Sequence, residues 1–132
     1  MSTDFQSNNH WTFRCKYHIV FCPKYRRKVL TAPIDERLKE IISEVAEETR
    51  SEILEIEIMP DHVHILCQVD PQVGIATFVR LVKGRSSRLL RQEFPTLKSR
   101  LPTLWTHSVF CSTVGGAPLS IIKQYIEDQK NR

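Results

Sequence analysis

The sequence predicts an α+β fold: a ferredoxin-like four-stranded antiparallel sheet with two helices on one face, plus a C-terminal helix. Three stretches alternate apolar and polar residues with period two, a fourth reads as a strand, and two longer stretches repeat apolar residues at helical spacing. Their order is strand, helix, strand, strand, helix, strand, as in a split βαβ arrangement. The chain has 132 residues, 41% hydrophobic and only 4 glycines, which suits a single domain over residues 1–132 and leaves no room for a second.

Met1 to His10 is polar and reads as a flexible N-terminus. From Trp11 to Cys22 the pattern alternates: Trp11, Phe13, Cys15, Tyr17, Ile19 and Phe21 take one side, and Arg14, Lys16 and His18 the other. This first strand has a basic face. After the basic loop Pro23 to Lys28, Ile34, Leu38, Ile41, Ile42 and Val45 predict a helix that starts near Pro33 and Asp35 and runs to about Thr49. Leu54, Ile56 and Ile58 then alternate with Glu55 and Glu57, and Pro60-Asp61 turns the chain into a third strand from His62, so the two strands form a hairpin. Ile75, Phe78, Val79, Val82, Leu89 and Leu90 form the apolar side of a second helix, whose Gly84 costs about 1 kcal/mol relative to Ala and so suggests a close backbone approach. Past a loop containing Pro95 and Pro102, Leu104 to Val114 reads as the fourth strand. Gly115-Gly116 breaks the chain and Pro118 opens a last helix that runs nearly to Arg132.

Composition narrows the function classes. No stretch of about 18 apolar residues exists to span a bilayer and no apolar signal region follows Met1, so the expectation is a cytoplasmic protein. Cys15, Cys22, Cys67 and Cys111 stand singly inside apparent strands without Cys-x-x-Cys spacing, and are read as reduced, mostly buried thiols. Nineteen Lys and Arg against 15 Asp and Glu give a net charge of +4, compatible with a polyanionic partner.

Strand parity gives the clearest chemical feature. His62, His64, Leu66 and Gln68 fall on one face, and Val63, Ile65, Cys67 and Val69 on the other, which reads as core. Two imidazoles then aim away from the core and make half of a metal site. With Pro60 and Asp61 alone in the turn, Glu57 pairs with His64 on the same face, placed to orient it or to touch the metal. In the last helix Leu119, Ile122 and Ile126 form a core stripe, leaving Ile121, Tyr125 and Gln129 on an adjoining one. Tyr125 and Gln129 thus point the same way. An isolated His-x-His or a lone helical tyrosine is commonplace, so the weight lies in their combination. His10, His18 and His107 have no partner spacing and are not read as ligands.

Several motifs in order resemble those of the small single-tyrosine HUH transposases of bacterial and archaeal insertion sequences, the two-hundred/six-hundred-and-five group. They are Tyr17-His18-Ile19-Val20-Phe21 with Lys24-Tyr25-Arg26, Met59-Pro60-Asp61-His62-Val63-His64, Lys83-Gly84-Arg85-Ser86-Ser87, Leu104-Trp105, Thr113-Val114-Gly115-Gly116 and Tyr125-Ile126-Glu127-Asp128-Gln129. The resemblance implies His62 and His64 as metal ligands, Tyr125 as nucleophile and Gln129 as the residue completing the metal site. It implies cleavage and rejoining of single-stranded DNA through a 5′-phosphotyrosine, leaving a free 3′-OH, at element ends that carry DNA hairpins. It also implies a homodimer in which the tyrosine helix of one subunit completes the histidine site of the other, with Gly115-Gly116 as the hinge. Arg14, Lys16, Arg80, Lys83, Arg85 and Arg88 are the candidate phosphate contacts.

The residue types suit that chemistry. A phenol with a pKa near 10 attacks poorly at neutral pH and needs its proton accepted elsewhere. Two neutral imidazoles and an amide oxygen would leave Mg²⁺ or Mn²⁺ most of its charge for polarising a scissile phosphate. Two other classes compete: a noncatalytic single-stranded nucleic-acid-binding module of the same topology, which leaves Tyr125 and Gln129 unused, and an HUH replication or relaxase nuclease. A zinc hydrolase lacks a third strong ligand, since Cys67 faces the core by parity.

Overall fold

The computed structural model describes residues 6–7, 11–113 and 119–132. Its central sheet is built from β3 (Lys16–Phe21), β4 (Glu52–Met59), β5 (His62–Gln68) and β6 (Phe110–Thr113), in the spatial order β4-β5-β3-β6, with every pairing antiparallel. Helices α1 (Ile34–Glu48) and α2 (Ile75–Glu93) cover one face. Ile19 and Phe21 of β3, Val63, Ile65 and Cys67 of β5, Leu38, Ile41, Ile42 and Val45 of α1, and Phe78, Val82 and Leu90 of α2 form one buried cluster between them. This is the predicted α+β sandwich. The other face carries the alternate residues of the same strands, and α4 (Leu119–Asp128), continued by a 3₁₀ turn over Gln129–Asn131, belongs to that side. No helix among the described residues is long and apolar enough to cross a membrane.

Four local expectations need correction. The stretch from Trp11 to Cys22 is two strands, because the alternation breaks at Arg14 and Cys15: β2 (Thr12–Phe13) pairs with β1 (Gln6–Ser7), and only β3 enters the main sheet. In β4 the register slips between Ile53 and Glu55, a bulge that adds one residue and reverses parity upstream. Ile53 therefore packs against the core and Leu54 is exposed. Part of the loop after α2 is a short helix, α3 (Pro95–Arg100), opened by Pro95. The fourth strand is only β6. Trp105 makes an isolated bridge to Pro23, and its indole Nε1 donates to Ser86 Oγ at 2.9 Å instead of prolonging the ladder. All four cysteines are unpaired; Cys22 and Cys67 are buried, Cys15 is half-buried and Cys111 is exposed.

Candidate active site

β5 and the turn before it place the histidines. Alternate side chains leave a strand on opposite faces, so His62 and His64 project from the open face while Val63, Ile65 and Cys67 enter the core. The register pairs Met59 with His62 and Glu57 with His64, which sets Glu57 beside the histidines as the Pro60-Asp61 turn predicts. Val20, Glu57, His62 and His64 form the floor of a cavity of about 520 Å³, roofed by the side of α4 that bears Ile122, Lys123, Ile126 and Glu127.

Each histidine already uses one ring nitrogen. His62 Nδ1 lies 2.8 Å from Asp61 Oδ1. The carboxylate accepts, so the imidazole donates from Nδ1, the arrangement that leaves the Nε2 lone pair for a ligand in a neutral ring. His64 Nε2 lies 2.9 Å from His18 Nδ1, with the two rings stacked at 5.1 Å and 15°. Burial first, and His18 second, push the His64 pKa below its ordinary value, which favours the neutral imidazole that ligation requires.

These donors fit a divalent ion in part. A histidine held through its second nitrogen by a carboxylate is the usual support of a metal ligand, and His62 has that support. Among the described residues no three His, Cys, Asp or Glu side chains converge on one point. A metal held here would need further ligands, such as an amide oxygen, water or a substrate phosphate.

Tyr125 and Gln129 do share one stripe of the C-terminal helix, but that stripe turns away from the histidines. At about 100° per residue it lies roughly 110° around the axis from the residues that roof the cavity. The Tyr125 ring rests against Phe110 at 5.6 Å between centroids. Its hydroxyl is 2.8 Å from Ser108 Oγ, and Ser108 Oγ donates to Gln129 Oε1 at 2.8 Å. Since a hydroxyl has one proton to give, Ser108 accepts from the phenol. One serine thus engages both the phenol oxygen and the amide oxygen. Burial raises the Tyr125 pKa, and the Ser108 hydrogen bond offsets this only in part. The structure brings His62, His64 and Glu57 together, and separately Tyr125 and Gln129, without joining the two groups.

The basic residues are dispersed. Arg14 and Lys16 border a shallow cleft beside Thr113. Arg80 is exposed and lines a groove with Lys83, His107 and Val109. Arg85 makes a bidentate pair with Glu48 at 2.6 and 2.7 Å. Lys83 Nζ donates to the carbonyl oxygens of Thr106 at 2.6 Å and Ser108 at 3.1 Å, and burial lowers its pKa. It fastens the loop that carries Ser108. Arg88 is exposed and lines a groove of about 600 Å³ with Gly84, Arg91 and Lys98. No atom lies within 4 Å of where a Cβ on Gly84 would stand, so packing within the chain does not demand glycine there.

Sequence reading missed His18, Asp61, Lys123 and Ser108. His18 shares the open-face parity of His64, but its contact depends on Val20 lying opposite His64 in the β3–β5 register, which no local pattern encodes. Ser108 carried no signal at all. The hinge expected at Gly115-Gly116 falls outside the described residues.

The family profile described as "Transposase IS200 like" matches residues 11–129. The ISDra2 transposase TnpA of Deinococcus radiodurans is 36% identical over 124 residues, covering 92% of this chain and 89% of the relative. The transposase for insertion sequence element IS200 of Salmonella typhimurium is 33% identical over 132 residues, covering 96% and 87%. Among solved structures, a Deinococcus radiodurans R1 protein described as a transposase superimposes with a TM-score of 0.83 at 32% identity, over 96% of this chain and 99% of that one. A REP-associated tyrosine transposase bound to a REP hairpin shares the fold, with a TM-score of 0.59 at 14% identity, over 96% of this chain and 69% of that one. The chain belongs to the family of IS200-like transposases.

Proposed function

We propose that this transposase cleaves and rejoins single-stranded DNA at insertion-sequence ends through a 5′-phosphotyrosine on Tyr125, with a divalent metal held by His62, His64 and Gln129. The observation that carries the reading is the cavity between the histidine face and the C-terminal helix. It joins two imidazoles to a positive side chain, Lys123, in a space large enough for a phosphodiester. What a bound Mg²⁺ or Mn²⁺ supplies there is Lewis-acid polarisation of the scissile phosphate.

The chain's own residues account for the rest. Asp61 and His18 each engage one ring nitrogen of His62 and His64, which supports rings held steady before substrate arrives. The Tyr125 oxygen attacks phosphorus, the bond from phosphorus to the 3′-oxygen breaks, and the phenol proton leaves as the departing 3′-oxygen acquires one. Burial favours the protonated phenol, and because the Ser108 contact ties the phenol oxygen away from the histidines, that contact has to break before attack. The phosphodiester energy is kept in the phosphotyrosine, so a second 3′-OH rejoins the strand without ATP.

The working form in this proposal is a homodimer whose tyrosine helices complete each other's histidine sites. The separation of Tyr125 from His62 and His64 within one chain supports it. Hairpin ends are the proposed DNA partner, in keeping with the hairpin bound by the REP-associated relative, and Arg14, Lys16, Arg80 and Arg88 are the phosphate contacts that remain exposed or border open clefts.

The test is to incubate the protein and Tyr125→Phe with labelled single-stranded DNA from the flanks of its own gene, with Mg²⁺ or EDTA. A denaturant-resistant adduct that needs both metal and Tyr125 is expected. Tight binding without an adduct on any flank would replace the enzyme reading with that of a binding module.

A further inference from the structure

Tyr25 and Arg26 are consecutive non-glycine residues in the left-handed region, with φ of 59° and 50°. Such a conformation is strained and persists only where surrounding structure holds it. Backbone hydrogen bonds hold it here: Lys24 N–H donates to Leu104 O at 2.8 Å, Tyr25 N–H to Arg132 O at 2.9 Å and Arg26 N–H to Pro23 O at 2.8 Å.

The strained backbone carries a guanidinium with contacts on two sides. Arg26 Nη1 donates to Glu127 Oε2 at 3.0 Å and to Ile126 O at 3.4 Å, both on α4. Arg26 Nε lies 3.2 Å from Asp61 Oδ2, while the other oxygen of Asp61 accepts from His62 Nδ1 at 2.8 Å. Arg26 and Asp61 are both largely sheltered, at 18% and 17% exposure, so their pairing is screened less than a surface ion pair; Glu127, at 64%, contributes less. A chain of polar contacts, hydrogen bonds at either end and the Arg26–Asp61 ion pair between them, runs from the tyrosine-bearing helix to the His62 ring nitrogen.

We infer that Arg26 is a positioning residue, which couples docking of the tyrosine-bearing helix to the tautomer and aim of His62 through Asp61. With a helix docked, the guanidinium is clamped on both sides and holds the Asp61 carboxylate so that Oδ1 faces Nδ1. Without it, the carboxylate is free to rotate and the His62 proton redistributes between its two nitrogens. The guanidinium fork is what allows one side chain to face two elements at once; a lysine offers the charge without the fork. The consequence for metal binding rests on the proposed role of His62 as a ligand.

The experiment is ¹⁵N NMR of the His62 ring in full-length protein in EDTA, at one fixed pH, together with titration by Mn²⁺. Wild type is expected to show the Nδ1–H tautomer of His62. Arg26→Gln and Arg26→Lys are expected to show a mixture and to bind Mn²⁺ about 10- to 100-fold more weakly. Glu127→Ala is expected to move the tautomer ratio the same way by less, since the Ile126 carbonyl remains. A His62 tautomer ratio indifferent to both Arg26 variants overturns the coupling, even where Mn²⁺ binds normally. A ratio that follows Arg26 in a protein that binds no Mn²⁺ at His62 upholds the coupling and removes the metal reading instead. Asp61→Asn, which can reverse the hydrogen bond, serves as the positive control; retained unfolding midpoints separate these effects from loss of fold.

Discussion

The histidine side and the tyrosine side of this molecule are built on different principles. His62 and His64 sit in mid-sheet, on β5 between β4 and β3, and each ring is steadied by a neighbour, Asp61 or His18. Their geometry follows from backbone pairing and is ready in advance. Tyr125 and Gln129 sit on a helix whose direction is set by docking, and their polar atoms are tied to a serine on a loop. The proposed ligands are thus steadied in advance, while the proposed nucleophile is held in an arrangement that the proposed reaction would have to exchange for another. Releasing the Ser108 contact itself costs about 1 kcal/mol, whereas rebuilding a strand register would cost far more.

The comparison breaks most visibly at the ligands. His62→Ala should weaken Mn²⁺ binding, read by calorimetry, by more than the roughly 10- to 100-fold expected for losing an outer partner; unchanged affinity would remove the histidine pair from the metal site. Next, mixing Tyr125→Phe chains with His64→Ala chains should recover adduct formation if the two sides meet across subunits, because only the mixed dimer contains one intact pair. No recovery would place the whole site within one chain. His18→Ala should cost about 10- to 100-fold in Mn²⁺ affinity, with His18→Asn costing less, since only the hydrogen bond to His64 Nε2 steadies that ring.

Smaller effects sharpen the contrast. Ser108→Ala removes the contact that fixes Tyr125 and Gln129 away from the histidines, and should raise the single-turnover cleavage rate by up to about fivefold, the equivalent of about 1 kcal/mol. A fall in rate would make Ser108 part of the working site instead. The last test concerns His64, whose folded-state pKa is lowered from 6.5 by burial and by His18. The folded state favours the neutral ring, so this group's effect on stability is absent above the unfolded pKa and becomes a loss as pH falls below it. In EDTA the urea midpoint of wild type should therefore drop more steeply below about pH 6.5 than that of His64→Gln.

Legibility in the sequence followed the same division. The parity of β5 and the pairing of Glu57 with His64 were readable because period-two alternation and a two-residue turn together fix a register. Leu54 was misplaced because a bulge leaves no local mark. The fourth strand came out short because Trp105 and the residues after it are held by Ser86 and Lys83 of α2, a tertiary demand that outweighs strand propensity. Helical spacing put Tyr125 and Gln129 on one stripe correctly, but which way a stripe faces depends on how the helix docks. The motif around Lys83 and Ser86 reads as a basic surface in sequence. In the structure two of its side chains knit the 105–108 loop to the helix.

Val20 is fully buried although its side chain lies on the open face of the sheet, beneath α4. Ile122, at 9% exposure, closes over the same cavity. Lifting the helix into water would uncover both, at about 1.5–3 kcal/mol for each aliphatic side chain. A bare sheet face is thus a scarce species at equilibrium, and it would adhere to any apolar surface it met. In the proposed dimer the vacancy would be filled by an identical helix presenting the same isoleucines, so departure and arrival would be energetically matched when two chains trade at once. Under that proposal protein concentration would control how often Tyr125 changes its surroundings.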